Sequence, residues 1–584
     1  MLFIHPSSFI PHPCLMVCLA QFASVPEGCC MLRVSDALRV LLQNQTVVGN
    51  DWLPPTKIRS LYLNDPAAIW LEHHGAAHGF APETLSYAFI DFLAEKGHQF
   101  ELAWLQRVAP NAVQVCVEPY EGREAHRVAQ TLDLIEARTP VIAQPALWWP
   151  AERIFGTPDL IVLSSWFRQQ YPELAHLVGE TEHYLVLDLK FSSNLEKREK
   201  AADLSCYSAQ TRMYSYMLGQ IQGIMPQHAF LITRDRLHNP ISIPIEAQLG
   251  QPLDADIRQN CERYFEIVRD GGQYLPWNDP IVQLNPNVND ERWGKARAQI
   301  RQRQPGGEML RLWNIGAAAQ QKLVKAGITS LSSLMNAASQ SLPKGVMKYP
   351  DPMKAIMQAN HTGLAQRAQG IAPTTRPYEF FVDFEFFSNL NVNFEQQWPT
   401  LQGTPMIFMI GIGWLANGEW HYHECIAERE DHLAEQAILA EFIAVLQAQT
   451  NQQLDQAVLY HWHNAEPVEC RHAAARHQLP SDHLLLNLPW FDLKNVLVDN
   501  ACAVPGAWDY SLKSIAKALA ALDAQYDPAW PSDLADGSQA QLVGWYAYRQ
   551  PNPRTSAEMQ LLSRYLEADC RATWKILAWL RADD

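Results

Sequence analysis

One stretch, Tyr184-Leu185-Val186-Leu187-Asp188-Leu189-Lys190, decides the fold predicted for the first half of this chain. It is an apolar run typical of a buried β-strand, and residues two apart on a strand point to the same face, so Asp188 and Lys190 project together. A second apolar run, over residues 156–163, carries Asp159, which lies beside them if the two strands pair. A lysine buried with two carboxylates is costly unless the group binds something. A divalent metal ion and a phosphate would satisfy all three side chains.

Length and composition indicate a globular protein of three or four domains. The chain has 584 residues, 48% of them hydrophobic and 18% charged, which is too long for one core and too apolar for a mainly disordered protein. The net charge of −16 argues against a non-specific nucleic-acid coat, but it leaves room for an enzyme with a local basic groove. Eleven scattered cysteines without a CxxC pair favour a reducing, cytoplasmic location over a disulfide scaffold.

The sequence predicts neither a membrane span nor a signal peptide. The longest apolar stretch, Met406–Ala416, is too short to cross a bilayer and is typical of a buried strand. Residues 1–30 are apolar, but prolines interrupt them and no basic segment precedes them. Because a run typical of a folded domain follows Met31, we expect translation to begin there and residues 1–30 to be a non-native or disordered extension.

Hydrophobic periodicity predicts an α/β multidomain chain, with two α/β domains joined by a helical linker. The expected boundaries are 31–270 for the first domain, 271–375 for the linker and 376–584 for the second domain. Strands are predicted over 113–118, 141–147, 158–164, 184–190, 229–233, 380–386, 406–414 and 457–462. Helices are predicted over 84–108, 196–220, 317–325, 431–448, 511–521 and 556–581. The absence of a GxxxxGK[ST] loop indicates that no ATP-driven motor is encoded.

Three motifs of the first domain follow one another in a fixed order. They are Gly156…Asp159, Asp188-Leu189-Lys190, and the pair Gln210 and Tyr214 on a predicted helix. In this order they resemble the G-x-x-D, D-x-K and Q-x-x-x-Y motifs of the RecB-like branch of the PD-(D/E)xK nucleases. The resemblance implies a restriction-endonuclease-like fold whose aspartates bind Mg²⁺ or Mn²⁺ and whose lysine acts near the scissile phosphate. Such sites suit phosphodiester hydrolysis, because metal-bound water attacks while positive charge neutralises the phosphate.

The same resemblance implies one more metal ligand, on an upstream helix and four residues after a glycine. Glu101 takes that place after Gly97, and His126 is a second candidate. A plain solvated helix face is the alternative for Glu101. Some relatives also hold an iron–sulfur cluster through four cysteines. The cysteines of this domain lack that spacing, so we expect no cluster; they are Cys116, Cys206 and Cys261.

The linker contains two short segments that resemble a helix-hairpin-helix module. They are Trp313-Asn314-Ile315-Gly316 and Ala326-Gly327-Ile328-Thr329-Ser330-Leu331, and Arg311 belongs to the basic residues just before them. Such modules offer backbone N–H groups to a phosphate without reading sequence. Arg311, Gly316 and Gly327 are therefore candidate nucleic-acid-binding residues, and a simple helical spacer is the alternative.

The second α/β domain carries its own pattern of acids. Asp383 and Glu385 share one face of a predicted strand, and Tyr565 and Asp569 share one face of the last predicted helix. This DxE and YxxxD set resembles the DEDD exonucleases, which have an RNase H-like fold. The resemblance implies that the acids bind two metal ions and that the tyrosine orients the attacking water.

The family's middle acid has no direct match in the second domain. Glu466 stands where an aspartate is usual, and Asp492 is a second candidate. This departure keeps open the alternative of an RNase H-like domain that binds nucleic acid without cutting it.

The whole order resembles a family of bacterial nucleases in which a RecB-like domain, a helical hairpin and a YprB-type RNase H-like domain follow one another. The resemblance implies a metal-dependent nuclease acting on DNA rather than RNA, in repair or recombination. Two alternatives remain. One is a catalytically degenerate nucleic-acid-binding adaptor for a separately encoded helicase, and the other is an RNA-processing 3′–5′ exonuclease that uses only the C-terminal domain.

Overall fold

The computed structural model describes residues 36–84, 89–251, 253–288, 290–338, 341–395, 397–401, 403, 405–531 and 537–582. The predicted extension over 1–30 and the start at Met31 lie outside them. The described chain forms two compact units, and residues 64–96 group with the C-terminal part. The first unit holds residues up to Leu63 and Gly97–Asp270, and the second holds Asn64–Lys96 and the chain from Gly271. The three predicted domain ranges stay predictions.

The helices and strands are numbered in chain order. The helices are α1 Asp36–Asn44, α2 Arg59–Tyr62, α3 Ala67–His74, α4 Phe89–Val108, α5 Ala125–Glu136, α6 Ser164–Gln170, α7 Ala201–Gln222, α8 Ala255–Asp270, α9 Gly294–Arg303, α10 Ala317–Lys325, α11 Leu331–Asn336, α12 Pro350–Thr362, α13 His432–Gln449, α14 Ala465–Arg476, α15 Leu493–Asp499, α16 Leu512–Leu522, α17 Gly537–Ala547 and α18 Ala557–Arg581. The strands are β1 Val113–Gln114, β2 Val141–Ala143, β3 Leu147–Trp149, β4 Ile154–Gly156, β5 Leu160–Leu163, β6 Tyr184–Lys190, β7 His228–Thr233, β8 Ile241–Pro244, β9 Tyr378–Phe387, β10 Met406–Ala416, β11 Glu419–Ile426, β12 Ala457–His461 and β13 Trp490–Asp492.

A mixed sheet with the strand order β1-β2-β5-β6-β7-β8 forms the centre of the first unit. Strands β2, β5 and β6 pair antiparallel, whereas β7 lies parallel to β6. The long helix α7 connects β6 to β7 and packs on both. Residues 184–189 of β6 are buried. Because both faces of this strand are covered, it is apolar almost throughout instead of alternating, and the acid and the lysine within it stand out.

A second sheet, in the order β11-β10-β9-β12-β13, forms the centre of the second unit. Strands β9, β10 and β11 pair antiparallel, and β12 and β13 run parallel to β9. Helix α18 packs on β9 and β10, and α13 packs on β10 and β11. The acids of β9 therefore lie on the central strand of the sheet.

Two short helices around a glycine turn, predicted for the linker, are confirmed. Helix α10 begins after Gly316, and α11 begins after Ser330, whose hydroxyl accepts a hydrogen bond from the N–H of Ser333. Gly327 between them has a φ of 81°, in the left-handed region that glycine adopts without strain.

Most of the predicted elements are confirmed, and three need correction. Predicted strand 113–118 ends at Gln114, because its partner β2 ends at the paired residue Ala143, where Gln144 turns the chain. Predicted strand 141–147 is two strands of different sheets, since Gln144 turns the chain with a φ of 47° just before Pro145. Predicted helix 196–220 begins only at Ala201. Predicted helix 84–108 is described from Phe89, because 85–88 lie outside the described residues.

The described helices were also considered as possible membrane spans, which need both length and an apolar composition. Among them, none combines the length with the apolar composition that crossing a membrane requires.

Candidate active sites

The structure brings Asp159, Asp188 and Lys190 together in the first unit. Leu160 of β5 pairs with Leu187 of β6, so the residue just before β5 lies opposite Asp188. The Nζ atom of Lys190 is 2.6 Å from Asp188 Oδ2 and 3.5 Å from Asp159 Oδ2. The N–H of Leu189 also donates to Asp159 Oδ2 at 2.7 Å. One ammonium group thus bridges two carboxylates.

Glu101 of helix α4 completes this group. The side-chain amide of Gln144 approaches both Glu101 Oε2 and Asp159 Oδ1, at 3.4 and 3.5 Å. Burial, together with the nearby charge of Asp159, raises the pKa of Glu101 to about 9. Burial and Asp159 likewise raise the pKa of Asp188 to about 8. Although burial alone lowers it, the pKa of Lys190 is raised because the two aspartates favour its charged form.

Gln210 and Tyr214 lie on helix α7 behind the three charged groups. The amide of Gln210 donates to the Tyr214 hydroxyl at 3.3 Å, and Tyr214 lies near enough to Lys190 to influence its pKa. A Cβ atom added at Gly156 would lie only 2.7 Å from Tyr214 Cε1. The glycine of the G-x-x-D motif therefore allows the tyrosine ring to pack against strand β4.

A second group of acids meets on the sheet of the second unit. Asp383 and Glu385 project from one face of β9, since they are two residues apart on the strand. Asp383 pairs with Gly411 of β10, where an added Cβ would lie 2.9 Å from Leu566 and 3.1 Å from Cys570 of α18. The glycine therefore permits the close approach of α18, which carries Asp569 to this face.

Glu466, at the start of α14, joins the same group. Its carboxyl group hydrogen-bonds with that of Asp383, and its Oε2 lies 3.1 Å from Nδ1 of His461. Tyr565 contacts Asp569 through a hydrogen bond between their side chains. The four acids of this cluster, which we call the β9 acid cluster, are Asp383, Glu385, Glu466 and Asp569.

Burial and mutual repulsion perturb every member of the β9 acid cluster. The pKa of Asp383 is raised well above its ordinary value by burial and by Glu466, and that of Glu385 by burial, Asp383 and Asp569. Burial and Asp383 raise the pKa of Asp569 to about 8, and burial raises that of Glu466 to about 8. Four carboxyl groups therefore share a site that cannot hold them all ionised without added positive charge.

Two neighbours of the cluster were missed in the sequence. Lys513 lies over the Tyr565 ring, 4.3 Å from its centroid, and its charge lowers the pKa values of Asp383, Glu385 and Asp569. The indole N–H of Trp530 donates to Asp569 Oδ1 at 2.6 Å. One signal could have indicated Lys513. A positive charge in the first turn of a helix is unfavourable against the helix dipole, so a lysine there points to some other interaction that holds it. No local pattern marks Trp530.

The donor chemistry of both groups fits a divalent ion. Carboxylate oxygens are the ligands that Mg²⁺ and Mn²⁺ prefer. Within the described part of the chain, the buried Oδ1 of Asp188 receives no hydrogen bond. A buried acceptor without a donor is costly, and a cation would remove that cost. Asp159, Asp188 and Glu101 could hold an ion in the first unit, and the β9 acid cluster could hold ions in the second.

Three candidates from the sequence remain, namely His126, Asp492 and Arg311. His126 is exposed at the start of α5 beside Glu124, outside the group around Asp188. Asp492 caps α15, and its Oδ1 accepts hydrogen bonds from the N–H groups of Lys494 and His463. It also lies beside the β9 acid cluster, because its charge adds to burial in raising the pKa of Glu466. Arg311 lies over the Trp508 ring at 4.5 Å.

The expectation that Cys116, Cys206 and Cys261 hold no iron–sulfur cluster stays a prediction. These cysteines are each buried and free of disulfides.

Comparison with protein families adds one finding. A family model described as RNase H superfamily matches residues 399–581. The C-terminal part of the chain carries an RNase H superfamily domain. Such a domain indicates nuclease-type hydrolysis of nucleic acid with divalent metal ions. The match begins after β9, so Asp383 and Glu385 precede it, whereas Glu466 and Asp569 lie within it. Neither the search of curated proteins nor that of solved structures returned a match.

Proposed function

We propose that this protein is a metal-dependent nuclease that hydrolyses phosphodiester bonds of DNA through two separate acid sites. The observation that carries the proposal is the β9 acid cluster, in which the partly buried Asp383 and three buried acids meet with raised pKa values. Two of its members, Glu466 and Asp569, lie within the region matched by the RNase H superfamily model. The preference for DNA over RNA, and a role in repair or recombination, rest on the resemblance in the sequence alone.

In the second unit, Asp383, Glu385, Glu466 and Asp569 would hold Mg²⁺ or Mn²⁺. Bound ions of this kind activate water and neutralise charge on the phosphate. Tyr565, hydrogen-bonded to Asp569, would orient the attacking water, and Lys513 offers a positive charge beside it. Glu466 in place of the usual aspartate reaches the cluster because its longer side chain starts from helix α14.

In the first unit, Asp159, Asp188 and Glu101 would be the ligands, and Lys190 would stabilise charge on the scissile phosphate. This assignment is supported by contacts between the motif residues. Lys190 reaches both Asp159 and Asp188, and Gln144 links Glu101 to the same group. Gln210 and Tyr214 support the lysine from helix α7. The restriction-endonuclease-like fold of this unit belongs to the same proposal.

Cleavage of labelled DNA in Mn²⁺ tests the proposal with Asp188→Asn, Asp383→Asn and the double variant. Asparagine keeps the shape of the side chain but cannot bind a metal as a carboxylate does. We expect each single variant to lose a separable part of the products and the double variant to lose cleavage altogether. Asp482→Asn, at an exposed position, is the matched control. If the double variant digests DNA at the wild-type rate, neither site is catalytic.

Two alternatives are distinguished in the same experiment. An adaptor for a separately encoded helicase, which the absence of a motor motif favours, would bind DNA in EDTA and cut nothing in Mn²⁺. An RNA exonuclease would degrade single-stranded RNA equally well after Lys190→Ala and lose that activity after Asp383→Asn.

A further inference from the structure

Strand β11 and helix α13 carry a cluster of a different composition. His423, Cys425 and Glu441 each place one possible ligand atom within 4.8 Å of the other two. Nε2 of His423 is 3.0 Å from Oε1 of Glu441. Cys425 is fully buried, whereas the other two side chains are about two-fifths exposed. The cluster is therefore closed by protein on the cysteine side and open to solvent on the other.

The cluster lies on the face of the sheet opposite to the β9 acid cluster. Asp383 pairs with Gly411, and Gly411 pairs with Glu424. Residues directly opposite one another point to the same face, and their chain neighbours point to the other. Glu424 accordingly meets Ser563 of α18, on the side of the acids. His423 and Cys425 project from the other side, towards α13.

We infer that His423, Cys425 and Glu441 form a Zn²⁺ site, separate from the proposed nuclease sites. A thiolate, an imidazole and a carboxylate are the ligand types that zinc takes, and the sulfur disfavours Mg²⁺ and Ca²⁺. Zinc–ligand bonds of about 2.0–2.3 Å put tetrahedral ligand atoms about 3.3–3.8 Å apart. Nε2 of His423 and Oε1 of Glu441, at 3.0 Å, already lie that close. The remaining separations, which are at most 4.8 Å, would have to shorten by no more than about 1 Å, which side-chain rotation at two partly exposed residues allows.

The position of the cluster assigns the site a structural purpose. Strand β11 is the last strand at one end of its sheet, and an edge strand holds only one neighbour by hydrogen bonds. Two ligands come from this strand and the third from α13, the helix that follows it. A metal ion bound there would link the edge strand to the helix through its side-chain ligands, in addition to the backbone hydrogen bonds of each element.

Cobalt substitution in the full-length protein tests the site. Co²⁺ occupies zinc sites, and its bonds to thiolate sulfur produce a near-ultraviolet charge-transfer band that carboxylate sites lack. We expect the band at one Co²⁺ per chain and its displacement by Zn²⁺. It should be lost in Cys425→Ser and strongly weakened in His423→Gln and Glu441→Gln. The last two variants change partly exposed side chains, so they remain informative if Cys425→Ser does not fold.

A matched control is present on helix α14. His472 Nδ1 lies 3.1 Å from Glu469 Oε1. His472→Gln therefore breaks a histidine–glutamate pair of almost the same length that, among the described residues, no third ligand atom joins within 4.8 Å. It should leave the band unchanged. No band in the wild type would overturn the inference, because His423 and Glu441 would then be a simple ion pair. A band that disappears in Cys570→Ser and persists in Cys425→Ser would also overturn it, since Cys570 adjoins the β9 acid cluster.

Discussion

The hydrogen bond from Trp530 to Asp569 makes a quantitative prediction about the β9 acid cluster. The indole nitrogen lies 2.6 Å from Oδ1, and the pKa of Asp569 is about 8 despite this bond, because burial and Asp383 raise it. A hydrogen bond to a charged group contributes about 1.5–3 kcal/mol, and one to a neutral group about 0.5–1.5 kcal/mol. The bond therefore stabilises the fold more above pH 8, where Asp569 is ionised, than below it.

Trp530→Phe removes the donor and keeps an aromatic ring. We expect it to destabilise the second unit by about 1 kcal/mol more at pH 9 than at pH 6 in metal-free buffer, taking the difference between charged and neutral hydrogen bonds. The sign follows from linkage. The folded pKa of Asp569 lies above its unfolded value, so the fold loses stability as pH rises through 8 and the carboxyl group ionises. In the wild type the Trp530 hydrogen bond offsets part of this loss, and in Trp530→Phe it no longer does. The extra loss corresponds to a midpoint lower by about 2–4 °C.

Differential scanning calorimetry at the two pH values measures the effect, with Trp462→Phe as control. Trp462 is also partly buried, and its indole donates to the backbone carbonyl of Tyr510 at 3.0 Å, which does not titrate. Its loss in midpoint should be the same at both pH values. If Trp530→Phe behaves like Trp462→Phe, then Asp569 does not ionise in this range and the electrostatic description of the cluster is wrong.

The packing around Gly156 and the acids of the β9 acid cluster lead to two more predictions. Gly156→Ala should lower the thermal midpoint by the equivalent of about 1–3 kcal/mol, because its Cβ would lie 2.7 Å from the Tyr214 ring. Gly97 lies in helix α4 with open space around an added Cβ, so Gly97→Ala should raise the midpoint by the equivalent of about 0.5–1 kcal/mol. If the two variants shift the midpoint equally, this description of the packing at Gly156 is wrong. The affinity for Mn²⁺, measured by calorimetric titration, should increase up to about pH 8, by about tenfold per pH unit for each proton that Asp569 or Glu466 releases. A constant affinity from about pH 6 to 8 would show that these acids already bind as carboxylates.

The strands that carry the acids could be predicted from the sequence because local patterns define them. The period of two placed Asp188 and Lys190 on one face, and the apolar run before Lys190 marked a covered strand. Strands β11 and β13 were not predicted. The first lies at the sheet edge with aromatic and histidine residues instead of an apolar run, and the second has only three residues.

Apart from Lys513, the neighbours of the acids could not be predicted, because long-range folding supplies them. Gln144 reaches Glu101 and Asp159 only because the chain turns at a positive φ just after β2. Trp530 meets Asp569 across thirty-nine positions of sequence with no periodicity to connect them. Burial, which raises the pKa values of the acids, is likewise a property of the packed unit and not of a motif.

The order of the β9 acid cluster along the chain has a consequence for synthesis. Its acids come from the first strand of their sheet, from the start of α14 and from α18, which ends at Arg581. A ribosome releases these segments in that order, so a nascent chain holds Asp383, Glu385 and Glu466 long before Asp569 can join them. The cluster can therefore form only after α18 has been synthesised, and until then the other three acids lack their fourth member.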